Sequence, residues 1–75
     1  MKTVFDYKPE TPLVLEEVMQ EDLVLKLLEF GIAKGSEIQM KSSMLSGDPV
    51  IISGANTNIL LRKKEAKLLF VKPIK

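Results

Sequence analysis

The sequence predicts a mainly β fold: a small β-barrel of about five short strands, with one α-helix after the first of them. Three observations lead there. Only residues 23–35, LVLKLLEFGIAKG, carry a sustained helical period. Half of the remaining apolar residues fall in runs of three or four, separated by Gly, Pro, Ser and Asn at close spacing. The helix is apolar over so wide a face that, in a chain of 75 residues, it has to lie on a sheet.

Taken in order, the chain opens with Val4, Phe5 and Tyr7, which suit a short strand or a tail strapped across the core. Pro9 and Pro12 exclude a helix there and favour an extended lead-in. Leu13, Val14, Leu15 and Val18 mark the first long strand, at about residues 12–18. In the helix, Asp22, Lys26, Glu29 and Ala33 form one non-core stripe. Leu23, Val24, Leu25, Leu27, Leu28, Phe30 and Ile32 supply the apolar remainder. Asp22 is placed to cap the N-terminus, and Gly31 to end the helix in a left-handed residue. Gly35 then suits a turn that needs positive φ.

After Gly35 the period becomes two. Ile38 and Met40 face one way and Glu37, Gln39 and Lys41 the other, as in a half-buried strand. Residues 42–49, SSMLSGDP, read as a loop. Val50-Ile51-Ile52 and Ile59-Leu60-Leu61, joined by a turn over residues 54–58, read as a hairpin. Lys63 to Ala66 make one helical turn, and residues 68–71, LLFV, a last strand ended by Pro73.

Length confines the chain to one domain, residues 1–75. No cysteine is present, so neither a disulfide nor a thiolate ligand is available. There is also no histidine, which removes the commonest general acid–base group. Lys41 beside Ser42 is the nearest approach to a Ser–Lys pair, and solvated loop polarity is by far the better account of it. These absences argue against an enzyme and against a specific iron or zinc site. Glu16, Glu17, Glu21 and Asp22 cluster in sequence, but as surface and helix N-terminal charge rather than as a ligand set. No apolar run approaches the length of a membrane span, so insertion is not expected, and the N-terminus lacks a signal-peptide apolar region. The expected setting is therefore cytoplasmic.

Eleven basic against ten acidic side chains supply little field for nucleic acid. The one basic concentration is Arg62, Lys63, Lys64 and Lys67. It reads as a solvated turn, as a protein-docking patch or as a nucleic-acid surface, in that order. What survives is a docking module without chemistry or cofactor of its own. Its candidate contacts are Leu25 and Phe30, one or the other of which is expected at the rim of the helix, Met44 and Leu45 in the loop, and Arg62, Lys63 and Lys64. If Leu25 and Phe30 are both buried, the helix is scaffold only.

The ordered segments LLEFGIAKGSEIQM, GDPV and ILLRKKEAKLLFV resemble the small ferrous-iron-transport protein A family, FeoA. Leu27, Gly31, Ile32, Gly35, Ile38, Gly47, Asp48, Pro49, Leu61, Arg62, Glu65, Ala66 and Val71 carry the resemblance. It covers about residues 23–71 well and the N-terminal third loosely. The family carries a Gly near the first turn, where this chain has Glu10 or Thr11. The resemblance implies an SH3-like small barrel with an inserted helix. It also implies a cytoplasmic accessory of ferrous iron uptake, docking on the cytosolic GTP-binding region of a FeoB-type membrane permease. It does not imply iron binding. Gly31, Gly35, Asp48 and Pro49 have sufficient conformational reasons of their own, and Arg62 has one if it anchors to Glu65. Two other readings stay open: a nucleic-acid-binding barrel using residues 62–67, and a homo-oligomer joined through edge strands.

Overall fold

Alternation along each strand decides what the sheet buries. The computed structural model describes residues 2–43 and 48–74. Its strands are β1 (Lys2–Thr3), β2 (Leu13–Val18), β3 (Glu37–Ser43), β4 (Val50–Gly54), β5 (Thr57–Leu61) and β6 (Leu69–Pro73). They form one antiparallel sheet in the order β1-β6-β2-β3-β4-β5. The sixth strand beyond the expected five is the two-residue β1. The sheet curls like a small barrel without closing, since β1 and β5 end the order. Leu13, Leu15, Ile38, Met40, Val50, Ile52, Ile59, Leu61, Leu69 and Val71 point inward from it and are buried.

Two β-bulges supply the bend. In β2, Leu15 pairs with Val71 and Glu17 with Phe70, so Glu16 is an extra residue. That insertion shifts the phase by one, which is why Leu13 and Leu15 face the core and Val18, rather than Glu17, packs against it. The irregular sequence LVLEEV is thus a regular strand with one inserted residue. In β3, Met40 pairs with Ile52 and Ser42 with Ile51, leaving Lys41 as the second bulge.

The hairpin turn is tighter than the expected residues 54–58. Ala55 and Asn56, both at positive φ, make a two-residue turn between β4 and β5. Gly54 is a buried strand residue rather than a turn residue.

The helix α1 (Glu21–Leu28) starts earlier than Asp22 as a cap would allow. Gln20 holds the cap position without a side-chain hydrogen bond, so Asp22 and Glu21 sit inside the first turn and act on the helix dipole instead. At the other end Ile32 N–H donates to Leu27 O and Gly31 N–H to Leu28 O, a Schellman closure with Gly31 at φ 81°. Gly35, at φ 95°, donates its N–H to Leu15 O and Leu15 N–H donates to Ser36 O, so the helix exit is tied to β2.

The lead-in is a 3-10 turn, Val4–Asp6, not a strand. Asp6 Oδ2 accepts the Thr3 N–H at 2.8 Å, and Thr3 Oγ1 accepts the Phe5 N–H at 3.2 Å. The turn buries Val4, while Phe5 and Tyr7 pack against the core from its edge. Glu10 follows at φ 70° and donates its N–H to Met40 O at 2.7 Å. This is the neighbourhood in which the resembled family carries glycine, and a side chain in that region costs about 1–2 kcal/mol. Glu10→Gly is expected to raise the unfolding free energy by up to about 1 kcal/mol, part of the relief being offset by glycine's larger entropy loss. A urea melt of the variant checks it.

Candidate functional site

Helix α1 buries only Leu23 and Leu27, one turn apart, into the core. Val24, Leu25, Leu28 and Phe30 remain 38%, 57%, 55% and 43% exposed. The sequence puts Leu25 or Phe30 at the rim, and the structure leaves both uncovered. Val24 and Leu28 are exposed with them, which the sequence alone does not separate from the core stripe. Their spacing of four is the same as that of Leu23 and Leu27, and only the sheet's position distinguishes the two pairs.

Beside this face runs an apolar groove of about 220 Å³, lined by Val18, Val24, Leu27, Ile32 and Ala33 with Glu17 and Lys34. Glu17 and Lys34 form an exposed ion pair there at 3.8 Å. Glu21, Asp22 and Glu29 are exposed on the helix. Among the described residues none of these three is in an ion pair. Lys26, the helix's one cation, points elsewhere and meets Glu65 at 3.3 Å.

A second surface lies on α2 (Lys63–Ala66). Arg62, Lys63, Lys64 and Lys67 line a hollow of about 480 Å³ together with Asp48. The structure thus gathers all four basic residues noted in sequence. Asp48 and Glu65 hold this turn: Asp48 Oδ1 accepts the Lys63 N–H and Glu65 Oε1 the Arg62 N–H, both at 2.9 Å. Arg62 is therefore tied to Glu65 through its backbone, and its side chain is exposed at the hollow. Ala66 is fully buried beneath. Met44 and Leu45 fall outside the described residues.

The Arg62 N–H, and then Lys26, hold the Glu65 carboxyl below the ordinary glutamate range despite opposing desolvation. A depressed folded-state pKa gives stability that is complete above the unfolded value and is lost as pH falls through the folded one. Glu65→Gln is expected to cost about 1 kcal/mol at neutral pH and to remove that acid-side decline. Unfolding melts of both proteins at neutral pH and through the acid range check it.

Among the described residues, no group of three or more His, Cys, Asp or Glu is placed to hold a metal ion. Among the described residues, no helix is long and apolar enough to cross a membrane.

The fold and several of its relatives identify this arrangement. The family profile of the FeoA domain matches residues 3–73. Iron(II) transport protein A from Clostridium thermocellum is 30% identical, with a TM-score of 0.83 over 97% of this chain. The chain spans just under half, 46%, of that protein's length. FeoA from Stenotrophomonas maltophilia, solved as a zinc complex and described as a prokaryotic SH3 domain protein, is 27% identical over 96% of this chain and 91% of its own, with a TM-score of 0.77. The Chlorobium tepidum FeoA protein has the same fold at 15% identity, with a TM-score of 0.87 over 99% of this chain and 71% of its own. A search of the curated proteins finds no match. With an SH3-like sheet, an inserted helix and a profile match over nearly its whole length, the chain belongs to the FeoA family.

Proposed function

We propose that this chain is a cytoplasmic accessory of ferrous iron uptake that docks on the cytosolic GTP-binding region of a FeoB-type membrane permease. The observation that carries the reading is the FeoA profile over residues 3–73, since ferrous iron transport is what that family serves. Two features support docking over catalysis. The chain has no His or Cys for acid–base or nucleophilic work. It also leaves four large apolar side chains of one helical segment in solvent, Val24, Leu25, Leu28 and Phe30. Leu25 and Phe30 are the first contacts to test, with Arg62, Lys63 and Lys64 as a polar counterpart.

Calorimetry of this protein against the permease's cytosolic region, with and without guanine nucleotide, is expected to show binding. No heat in either state would overturn direct docking. Deleting the chain is expected to lower cellular ferrous uptake, and unchanged uptake would remove the role. A second reading, nucleic-acid binding, is favoured by one observation, the gathering of Arg62, Lys63, Lys64 and Lys67 around a single hollow. It requires a salt-dependent mobility shift that Lys63→Ala and Lys64→Ala weaken.

A further inference from the structure

The last strand of an open sheet has outer N–H and C=O groups without partners, so it can pair with another strand. From the geometry we infer that β5 pairs antiparallel with β5 of a second copy of this chain, about a two-fold axis at Ile59. The inference is independent of the docking reading.

β1 and β5 end the sheet, and of the two β5 is the open edge. β1 is two residues long, carries Lys2 and runs straight into the 3-10 turn. β5, TNILL, is five residues long and has no charge, proline or bulge. It therefore lacks the devices that keep sheet edges apart. Asn58 is exposed on it, and Leu60 is 58% exposed.

The register fixes which groups face outward. Ala55 and Asn56 form a two-residue turn, and the pair flanking such a turn, Gly54 and Thr57, exchanges hydrogen bonds. Alternation then makes Ile52 with Ile59, and Val50 with Leu61, the next hydrogen-bonded pairs. Asn58 and Leu60 lie between them and turn their N–H and C=O groups away from β4. Among the described residues, no backbone hydrogen bond from another element reaches them.

A second β5 supplies what this edge lacks. With the axis at Ile59, Asn58 of each copy faces Leu60 of the other, and each such pair exchanges both its backbone hydrogen bonds. The uncharged edge, with outward groups at one spacing, is its own complement. Charge favours the antiparallel sense. Arg62, just past one end of β5, falls opposite Asn56 of the other copy. The two Arg62 backbones are then about 20 Å apart, well beyond the roughly 8 Å screening length of physiological salt. A parallel pair would set the basic ends side by side.

Light scattering and amide hydrogen exchange of the intact protein, from about 50 μM to about 1 mM, test this. Scattering is expected to report a growing dimer fraction. Exchange at Asn58 and Leu60 is expected to slow about threefold over that range, whereas Thr57, Ile59 and Leu61, already bonded to β4, exchange slowly throughout. Leu60→Lys should weaken association about tenfold, because it sets like charges on either side of the axis. Met19→Lys adds the same charge at an exposed residue outside β5 and should leave association unchanged. Unchanged thermal midpoints at low concentration confirm that both variants fold. A monomer across the whole range would overturn the inference, as would equal weakening by the two variants. So would slower exchange confined to α1, or slowing in β1 as well, which means head-to-tail pairing of β5 with β1. Slowing at Asn58 and Leu60 that appears only when the permease's cytosolic region is added would also overturn it, while leaving the docking reading in place.

Discussion

Leu27→Ala is expected to lower the unfolding free energy by about 2–5 kcal/mol, whereas Leu25→Ala should change it by no more than about 0.5 kcal/mol. The two leucines are near neighbours on one helix and are equally apolar. Leu27 is 1% exposed and closes the core with Leu23 beneath α1, and it also accepts the Ile32 N–H that ends the helix. Truncating it opens a cavity at the junction of helix and sheet, which close-packed neighbours fill only in part. Leu25 points to solvent, so its truncation removes little buried area. A chain of 75 residues has on the order of 4–11 kcal/mol of net stability, so the first change removes a large share of it. Urea melts read both variants. Equal losses would mean that Leu25 is covered in solution, and would remove the exposed face on which the docking reading draws.

Gly54→Ala is expected to cost about 1–3 kcal/mol, with Gly54→Val exceeding it. A Cβ at this position would lie 3.0 Å from Ile38 Cγ2, 3.2 Å from Glu37 O and 3.2 Å from Ile32 Cδ1. The first is the methyl branch on the β-carbon of Ile38 and the third the tip of Ile32, both in buried side chains. The second is a backbone oxygen in the paired strand β3, which cannot move without disturbing its register. Relieving the overlap therefore means shifting β3 or the chain leaving α1. Thermal melts of the alanine and valine variants measure the cost in turn. An alanine variant as stable as wild type would show that the Ile32–Ile38 layer yields freely.

Gly54 also marks where sequence reading stops. Beside Ala55 and Asn56 it resembles a turn glycine, because turns are the commonest use of Gly in such a setting. Its real constraint is close approach from β3 and from Ile32, residues 16 or more positions away. Asp48 is similar. In sequence it belongs to a Gly-Asp-Pro loop, and in the fold its carboxylate holds the backbone of Lys63, 15 residues on. Asp22 went the other way: its type fits a cap, but the helix begins at Glu21 because Gln20 has the extended backbone of the cap position. Where the signal is local, it was sufficient. The period-two pattern from Glu37 to Lys41, the β-branched hairpin and the glycine stop of the helix all reappear in place.

By itself, then, the sequence determined the fold class, the family and the absence of His and Cys, because these depend on residue type, order and periodicity. It determined that α1 is broadly apolar, and it marked Leu25 or Phe30 for the rim, where the structure exposes both. Only the tertiary structure decided how much of that breadth is used. The sheet covers the stripe of Leu23 and Leu27 and leaves Val24 and Leu28 in solvent. The reason is geometric: helical periodicity gives the angle between two stripes on a helix, but not which of them faces the sheet. That choice is made by the bulge at Glu16 and by the hydrogen bonds between Leu15, Gly35 and Ser36 that orient the helix exit on β2.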